Sequence, residues 1–321
     1  MYQWFNQYSP LVYRFAASVW LKPAQLFGNQ ANTMNNPVIM HANYCEQGQS
    51  LAEMCRKAVN WGFDGVEFRR ARSGVAETED EYLGELELAV SSSGLKHVLF
   101  GHPTMNLAPA DQSRREAELE GALRFFRKAA RCFDLTVCNA TAGAILNQDK
   151  NIPYDDYKQQ GSFIATADQW RWAAEGFREL GRLAGELKFK FAFETHPCYL
   201  HDMPATAKKL VDLIASPAVG VNLDYGNVIY FGNPPALNDT INLLGKSLFY
   251  VHLKNSARIG PRAGLRLPTS LAEGEINHRE LLGLLQRAGY TGPICIEAPR
   301  PGDREWFARA DLEYVRQLMN A

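Results

Sequence analysis

The chain has 321 residues, of which 46% are apolar and 21% charged, a composition typical of a folded protein with one large domain or two smaller ones. Its formal net charge of −1 and pI of about 6.7 exclude a general attraction to nucleic acid or to an anionic membrane surface. The six cysteines contain no C-x-x-C pair, which excludes zinc-ribbon and thioredoxin-type sites, and buried reduced thiols predict a cytoplasmic protein.

Residues 1–33 form an aromatic-rich segment that differs from the rest of the chain. It has no basic region at its start, and Arg14 interrupts its apolar stretch, so neither a cleaved signal peptide nor a membrane span is expected. We interpret residues 1–33 as an N-terminal extension and residues 34–321 as one domain.

From Asn36 onward, short apolar runs alternate with longer amphipathic segments. The runs predict eight strands, at 38–41, 65–68, 95–100, 137–142, 190–193, 219–223, 248–251 and 293–296. Counting the capping residue, helices are predicted at about 50–61, 78–92, 113–132, 168–187, 202–214, 234–244, 277–287 and 303–319. Ser50, Asp168 and Asn277 are predicted caps. The long polar connection 143–167 has the length of a lid or binding loop.

Strict alternation of strands and helices predicts a parallel sheet with crossover helices. Eight such units in one domain predict a (β/α)8 TIM barrel of the α/β class, with an open sheet as the alternative. The first strand–helix turn lacks G-x-G-x-x-G, and the chain has no G-x-x-x-x-G-K-[ST], so nucleotide-binding folds lose support.

Polar residues end each of the last four predicted strands: Glu194, Asp224, His252 and Glu297. The first two gaps, of 30 and 28 residues, have the length of one strand and one crossover helix. Because carboxyl ends of parallel barrel strands meet on one face, these side chains are expected to converge there. Two Glu, one Asp and one His suit one divalent cation such as Mn²⁺, Mg²⁺ or Co²⁺. Structural carboxylates paired with Lys or Arg are the alternative.

The surroundings of these four residues resemble those of the xylose isomerase-like barrels, most closely the sugar phosphate isomerase/epimerase group. The resemblance covers about residues 35–320. It rests on these motifs: Glu194-Thr-His196, Asp224-Tyr-Gly-Asn227, His252-Leu-Lys254-Asn255, Gly274-Glu-Ile-Asn277 and Ile296-Glu297.

The resemblance implies a single divalent ion held by Glu194, Asp224, His252 and Glu297. It also implies that the two glutamates flank the substrate and move a proton. Ketose 3-epimerases of this superfamily carry an Arg six residues after the metal His, which Arg258 matches. They also carry a His three residues after the metal Asp, where this chain has Asn227. That form resembles a broader branch that includes inosose dehydratase-like proteins, so the ketose 3-epimerase reaction itself is in doubt.

Further polar residues at strand ends are candidates for substrate binding. Glu67 ends strand two and can bond a substrate hydroxyl or orient a ligand His, or else pair with Arg69 or Arg70. His102 follows strand three, and it either contacts the substrate or is a loop histidine without a role in the site. His196 lies two residues beyond Glu194, so strand alternation predicts that it faces the same side.

The segment after strand seven is rich in cations, with Lys254, Arg258, Arg262 and Arg266. These residues either steer and clamp an anionic sugar or form a solvated basic loop. Lys254 and Arg258, together with Asn227, complete the predicted set of substrate contacts.

The reaction expected from this set is removal of a proton next to a carbonyl of a sugar, keto-sugar or polyol. Proton return to the neighbouring carbon or to the opposite face gives an isomerase or epimerase, which is the preferred prediction. Loss of a hydroxyl instead gives a lyase. A non-catalytic sugar-binding subunit is a further alternative, and homo-oligomer formation is left open. A metal phosphodiesterase of the endonuclease IV type loses support because Asn227 replaces a required His.

Overall fold

The computed structural model describes residues 33–101 and 105–321. The predicted N-terminal extension, apart from residue 33, and His102 lie outside these residues. The described residues contain ten strands: β1 (Val38–His41), β2 (Gly65–Phe68), β3 (His97–Phe100), β4 (Val137–Ala140), β5 (Lys190–Glu194), β6 (Val219–Asp224), β7 (Leu248–Leu253), β8 (Ser256–Arg258), β9 (Arg266–Pro268) and β10 (Ile294–Ile296).

Nine α-helices fill the connections in the described part of the chain. They are α1 (Leu51–Trp61), α2 (Glu79–Ser93), α3 (Gln112–Cys132), α4 (Ala167–Leu187), α5 (Pro204–Ile214), α6 (Tyr225–Val228), α7 (Leu237–Leu244), α8 (His278–Arg287) and α9 (Arg304–Met319).

Eight strands form a single parallel ladder in the order β3-β2-β1-β10-β7-β6-β5-β4. Its end strands β3 and β4 lie in contact, so the sheet curls into a nearly closed barrel with the helices outside. This confirms the predicted (β/α)8 TIM barrel. Within the ladder, β10 pairs with both β1 and β7, so the last strand along the chain lies beside the first.

The barrel interior is a small apolar cluster of residues on alternate strand positions, separate from the larger core between strands and helices: Ile39, Leu99, Val137, Ala192, Tyr250 and Cys295. Two residues further along five of these strands, the inward positions become polar, with His41, Asn139, Glu194, His252 and Glu297. The sequence therefore builds a dry floor and places a polar layer directly above it, at the carboxyl ends of the strands.

Besides small shifts in the ends of strands and helices, the local structure differs from the predictions in three places. Helix α4 begins one residue before Asp168, because Thr166 and not Asp168 is its cap. The Thr166 hydroxyl accepts from the Gln169 N–H, and the Gln169 side chain accepts from the Thr166 N–H, which together form a capping box. A one-turn helix, α6, follows β6 directly. Strands β8 and β9 form an antiparallel hairpin in the cation-rich segment that was expected to be a loop.

Candidate metal centre

Four side chains from β5, β6, β7 and the end of β10 converge above the barrel floor. Glu194, Asp224, His252 and Glu297 each offer one ligand atom, and the four atoms lie within 4.8 Å of one another. The first three residues are buried and Glu297 is partly exposed. The predicted convergence of these four residues is therefore present in the structure.

Asp224 is fixed by two local features at the end of β6. The hydroxyl of Thr195 donates to the Asp224 carbonyl (3.1 Å) and accepts from its N–H (2.9 Å), which extends the β5–β6 contact. The Asp224 Oδ1 caps α6 by accepting from the Asn227 N–H at 3.1 Å. Its other oxygen, Oδ2, is buried without a hydrogen bond of regular geometry and faces the cluster.

Glu194 is held on three sides. The side-chain amide of Asn227 donates to its Oε1 at 2.8 Å, and that of Asn139 donates to its Oε2 at 3.2 Å. Below the carboxylate, the buried ring of His201 contacts the Glu194 carbonyl oxygen through Nδ1 and accepts from the Ala142 N–H (3.1 Å) through Nε2. Burial lowers the pKa of His201 to about 4, so the ring is a neutral donor–acceptor link.

His252 lies between two carboxylates. Its Nδ1 is 2.8 Å from Glu297 Oε2 on the cluster side, and its Nε2 is 2.9 Å from Glu67 Oε2 beneath it. The Tyr250 hydroxyl donates to the same Glu67 oxygen at 2.6 Å. Burial opposes charge on His252, but Glu67 and the other carboxylates outweigh it and raise the His252 pKa well above its usual range. Glu67 therefore sets the direction in which the imidazole presents Nδ1.

A glycine makes room for Glu67. A Cβ atom at Gly101 would lie 1.8 Å from Glu67 Oε1, so any side chain there would displace the carboxylate. Gly101 directly follows β3, which is the neighbour of β2 in the ladder. Glu67 is 1% exposed and sits below the cluster, a position that suits orientation of His252 better than contact with substrate.

The Lys254 ammonium is the cation nearest to the three carboxylates. Its Nζ lies 2.7 Å from Asp224 Oδ2, 3.2 Å from Glu297 Oε2 and 3.9 Å from Glu194 Oε1. Burial opposes the charge, but Asp224, Glu297 and Glu194 raise the Lys254 pKa well above its usual range. Burial also raises the pKa of Asp224 to about 7, against the opposing pull of Lys254. The three carboxylates thus already attract one cation, the Lys254 ammonium.

The residues present fit a divalent cation. Three carboxylates and one imidazole are the donor set that Mg²⁺, Mn²⁺ and Co²⁺ accept. The buried Asp224 Oδ2 receives no regular hydrogen bond, and the nearby Lys254 ammonium marks a position favourable for positive charge. The Nε2 atom of His252 already lies 2.9 Å from Glu67, on the side away from the cluster, and this is the arrangement that orients a metal-ligating histidine.

Of the other predicted site residues, two contact the candidate ligands and two have other hydrogen-bond partners. Asn227 and Lys254 contact the ligand carboxylates directly. His196 is only partly buried, and its Nδ1 lies 2.9 Å from the Pro197 carbonyl. Because β5 ends at Glu194, strand alternation does not by itself extend to His196, and its contact with substrate stays a prediction. Arg258 is exposed on the hairpin, where its backbone N–H donates to Glu275 at 2.9 Å.

The cation-rich segment is neither a uniform clamp nor a solvated loop. Arg266 is buried, with its Nε donating to Ser256 Oγ at 2.8 Å and its guanidinium 2.7 Å from Glu275. Arg262 is exposed and lies 3.0 Å from Asp155 on the long 143–167 connection. Arg266 therefore holds the hairpin together, and Arg262 joins the hairpin to the long connection.

Sequence reasoning missed several residues that support the site. Asn139 follows Val137 by two positions and was detectable as a polar inward residue near the end of an apolar strand. Tyr250 and Gly101 carried no separate signal, because their roles depend on Glu67, which comes from another strand. His201 carried no signal in the sequence, yet its ring contacts the backbone carbonyl oxygen of Glu194.

A family model described as the xylose isomerase-like TIM barrel matches residues 55–318 of this chain. The match covers most of the chain, including Glu194, Asp224, His252 and Glu297. None of the helices in the described part of the chain is long and apolar enough to cross a membrane.

Individual proteins are similar at low identity. The inosose dehydratase of Clostridium perfringens is 26% identical over 180 residues, which is 50% of this chain and 58% of that protein. A xylose isomerase-like TIM barrel protein from Mycobacterium smegmatis, solved in complex with magnesium, has a TM-score of 0.70 at 20% identity and covers 89% of this chain and 97% of its own. A D-psicose 3-epimerase solved with D-fructose has a TM-score of 0.69 at 16% identity, with 89% and 100% coverage. At these identities the structural likeness concerns the fold.

Proposed function

This chain belongs to the xylose isomerase-like TIM barrel family, and we propose that it is a divalent-metal-dependent isomerase or epimerase of a sugar, keto-sugar or polyol. The observation that carries the proposal is the convergence of Glu194, Asp224, His252 and Glu297 at the carboxyl ends of their strands. A bound divalent cation would act as a Lewis acid on a carbonyl and a neighbouring hydroxyl of the substrate.

We assign the proton transfer to the two glutamates. Glu194 ends β5 and Glu297 follows β10, and β6 and β7 separate these strands in the ladder. Their carboxylates therefore approach a substrate over the cluster from two sides. One carboxylate removes the proton next to the carbonyl, and the other returns a proton to the opposite face or to the neighbouring carbon. The first outcome is epimerisation and the second is isomerisation.

Neighbouring groups prepare these carboxylates for the task. Asn227 and Asn139 each hold one oxygen of Glu194, so its orientation is set before substrate binds. Burial favours the neutral form of Glu297, but Lys254, His41 and His252 outweigh it and lower the Glu297 pKa well below its usual range. Glu297 is thereby kept ionised and able to accept a proton at neutral pH.

Elimination is a second candidate, favoured by two observations. Asn227 replaces the His found in the ketose 3-epimerases that the sequence resembles, and inosose dehydratases are among the curated relatives. Lys254 would be the proton donor for a departing hydroxyl, because its ammonium lies 3.2 Å from Glu297 within the cluster. Abstraction of the same proton would start either reaction.

Proton NMR in D₂O with added Mn²⁺ or Mg²⁺ separates these outcomes. We would screen keto-sugars, inososes and polyols, with and without phosphate groups. Deuterium incorporation next to the carbonyl reports proton removal, new sugar resonances report epimerisation or isomerisation, and vinyl or enone signals report elimination. We expect metal-dependent deuterium incorporation with a neutral sugar or keto-sugar.

Single substitutions of the glutamates sharpen the test. At saturating metal, Glu194→Gln and Glu297→Gln should each abolish product formation, while each still exchanges the proton on the face served by the remaining carboxylate. Undiminished turnover in both variants would contradict the two-carboxylate mechanism. Sugar binding with no exchange for any substrate, in metal-loaded protein, would instead identify a binding subunit.

A further inference from the structure

Lys254 occupies an unusual position for a lysine beside a metal centre. Its ammonium lies within 4 Å of three of the four candidate ligands, and its side chain is 21% exposed. The closest oxygen, Asp224 Oδ2 at 2.7 Å, is the one that lacks a regular hydrogen bond. The Lys254 ammonium therefore contacts the same carboxylate oxygens that a divalent cation would bind.

The fold is shaped to bring Lys254 there. Its side chain crosses over Gly226, where a Cβ atom would lie 2.1 Å from Lys254 Cγ. Only glycine leaves this path open, which explains its place in the Asp224-Tyr-Gly-Asn227 motif. A second acceptor lies nearby, because Asn227 Oδ1 is 3.4 Å from the ammonium and belongs to a side chain outside the ligand set.

We propose that the Lys254 ammonium and the divalent cation compete for the oxygens of Asp224 and Glu297, so that metal entry displaces the ammonium toward Asn227. The inference rests on the metal centre proposed above. Like charges at such separations repel strongly in a buried site, so both cannot keep close contact with the same oxygens. Once displaced, Lys254 faces the substrate side of the cluster. Lys254 thereby tunes metal affinity and becomes available to substrate only in the loaded site.

The direct test is a titration of metal-free protein with Mn²⁺ by isothermal calorimetry. Lys254→Met keeps an unbranched side chain of similar length and removes the charge, so it should bind Mn²⁺ at least about tenfold more tightly than wild type. Lys254→Arg keeps a cation and should not gain affinity. Lys57→Met is the matched control, because Lys57 is similarly exposed and pairs with Glu305 outside the cluster. It should bind Mn²⁺ like wild type.

A second measurement uses the unaltered chain and does not depend on a variant folding. Acetic anhydride labels free amines, and mass spectrometry reports each lysine separately. Labelling of Lys254 should rise when Mn²⁺ is added, while labelling of Lys57 stays constant.

The outcomes separate this inference from the proposed function. If wild type binds Mn²⁺ and Lys254→Met binds it equally or more weakly, the competition is refuted while the metal centre stands. Unchanged or reduced labelling of Lys254 on metal addition would refute it as well. If wild type binds no Mn²⁺ at all, the metal centre and the competition fail together.

Discussion

Replacing Glu67 tests whether the carboxylate beneath His252 controls metal binding. Glu67 Oε2 accepts from the Tyr250 hydroxyl at 2.6 Å and lies 2.9 Å from His252 Nε2. The amide oxygen of Glu67→Gln can accept both bonds, so this variant loses only the charge that polarises the imidazole. Glu67→Ala leaves both buried donors without an acceptor.

The expected losses follow from that difference. Removing a group that orients a metal-ligating histidine costs about 10- to 100-fold in metal affinity. We expect Glu67→Gln near the lower limit, about 1.4 kcal/mol, and Glu67→Ala near the upper limit, about 2.7 kcal/mol. The alanine variant should also be less stable, because an unsatisfied buried donor costs about 1–3 kcal/mol.

Gly101→Ala provides an independent route to the same effect. Its new Cβ would lie 1.8 Å from Glu67 Oε1 and would push the carboxylate aside without changing any charge. Glu77→Gln is the control, because Glu77 pairs with Arg72 and not with the cluster. Mn²⁺ affinity is measured by calorimetry for all variants. Wild-type affinity in Glu67→Gln, Glu67→Ala and Gly101→Ala would refute the orienting role of Glu67.

Two further predictions concern substrate contact and pH. Arg258→Ala should lower kcat/KM by roughly ten- to a hundred-fold without changing metal content, if Arg258 makes a charge-assisted substrate contact. Arg262→Ala on the same hairpin should have little effect, because the Arg262 guanidinium already pairs with Asp155 at the surface, and equal losses in steady-state assays would contradict the assignment. Burial lowers the pKa of His278 to about 4, so its stabilising effect is complete above pH 6.5 and is lost as the pH falls toward 4. Urea unfolding should show that wild type loses about 2 kcal/mol more than His278→Gln between pH 7 and pH 5, and parallel curves would refute this.

The barrel was predictable because its signals are local and repeated. Each strand is a short apolar run, each crossover helix follows as a longer segment, and several of these helices have a side-chain cap, such as Ser50 with Glu53. The ligand residues were predictable for a related reason. A polar residue at the end of an apolar run points inward only if strand alternation continues to it, and this holds for Glu194, Asp224 and His252.

The failures have the opposite cause, since they depend on contacts between distant segments. Nothing local to the sequence shows that β5 stops at Glu194, so strand alternation alone does not establish which way His196 points. Arg266 reads as a surface cation, and its burial depends on Ser256 and Glu275. Strands β8 and β9 have three residues each, too few for a periodic signal.

The most direct test of the central claim is a count of Mn²⁺ ions bound per chain, by equilibrium dialysis of metal-free wild type and His252→Ala. His252 is fully buried and offers Nδ1 to the cluster. Wild type should bind one Mn²⁺, and the variant should bind it roughly ten- to a hundred-fold more weakly, or by a larger factor. Equal occupancy in wild type and variant, or no occupancy in either, would contradict a metal centre at Glu194, Asp224, His252 and Glu297.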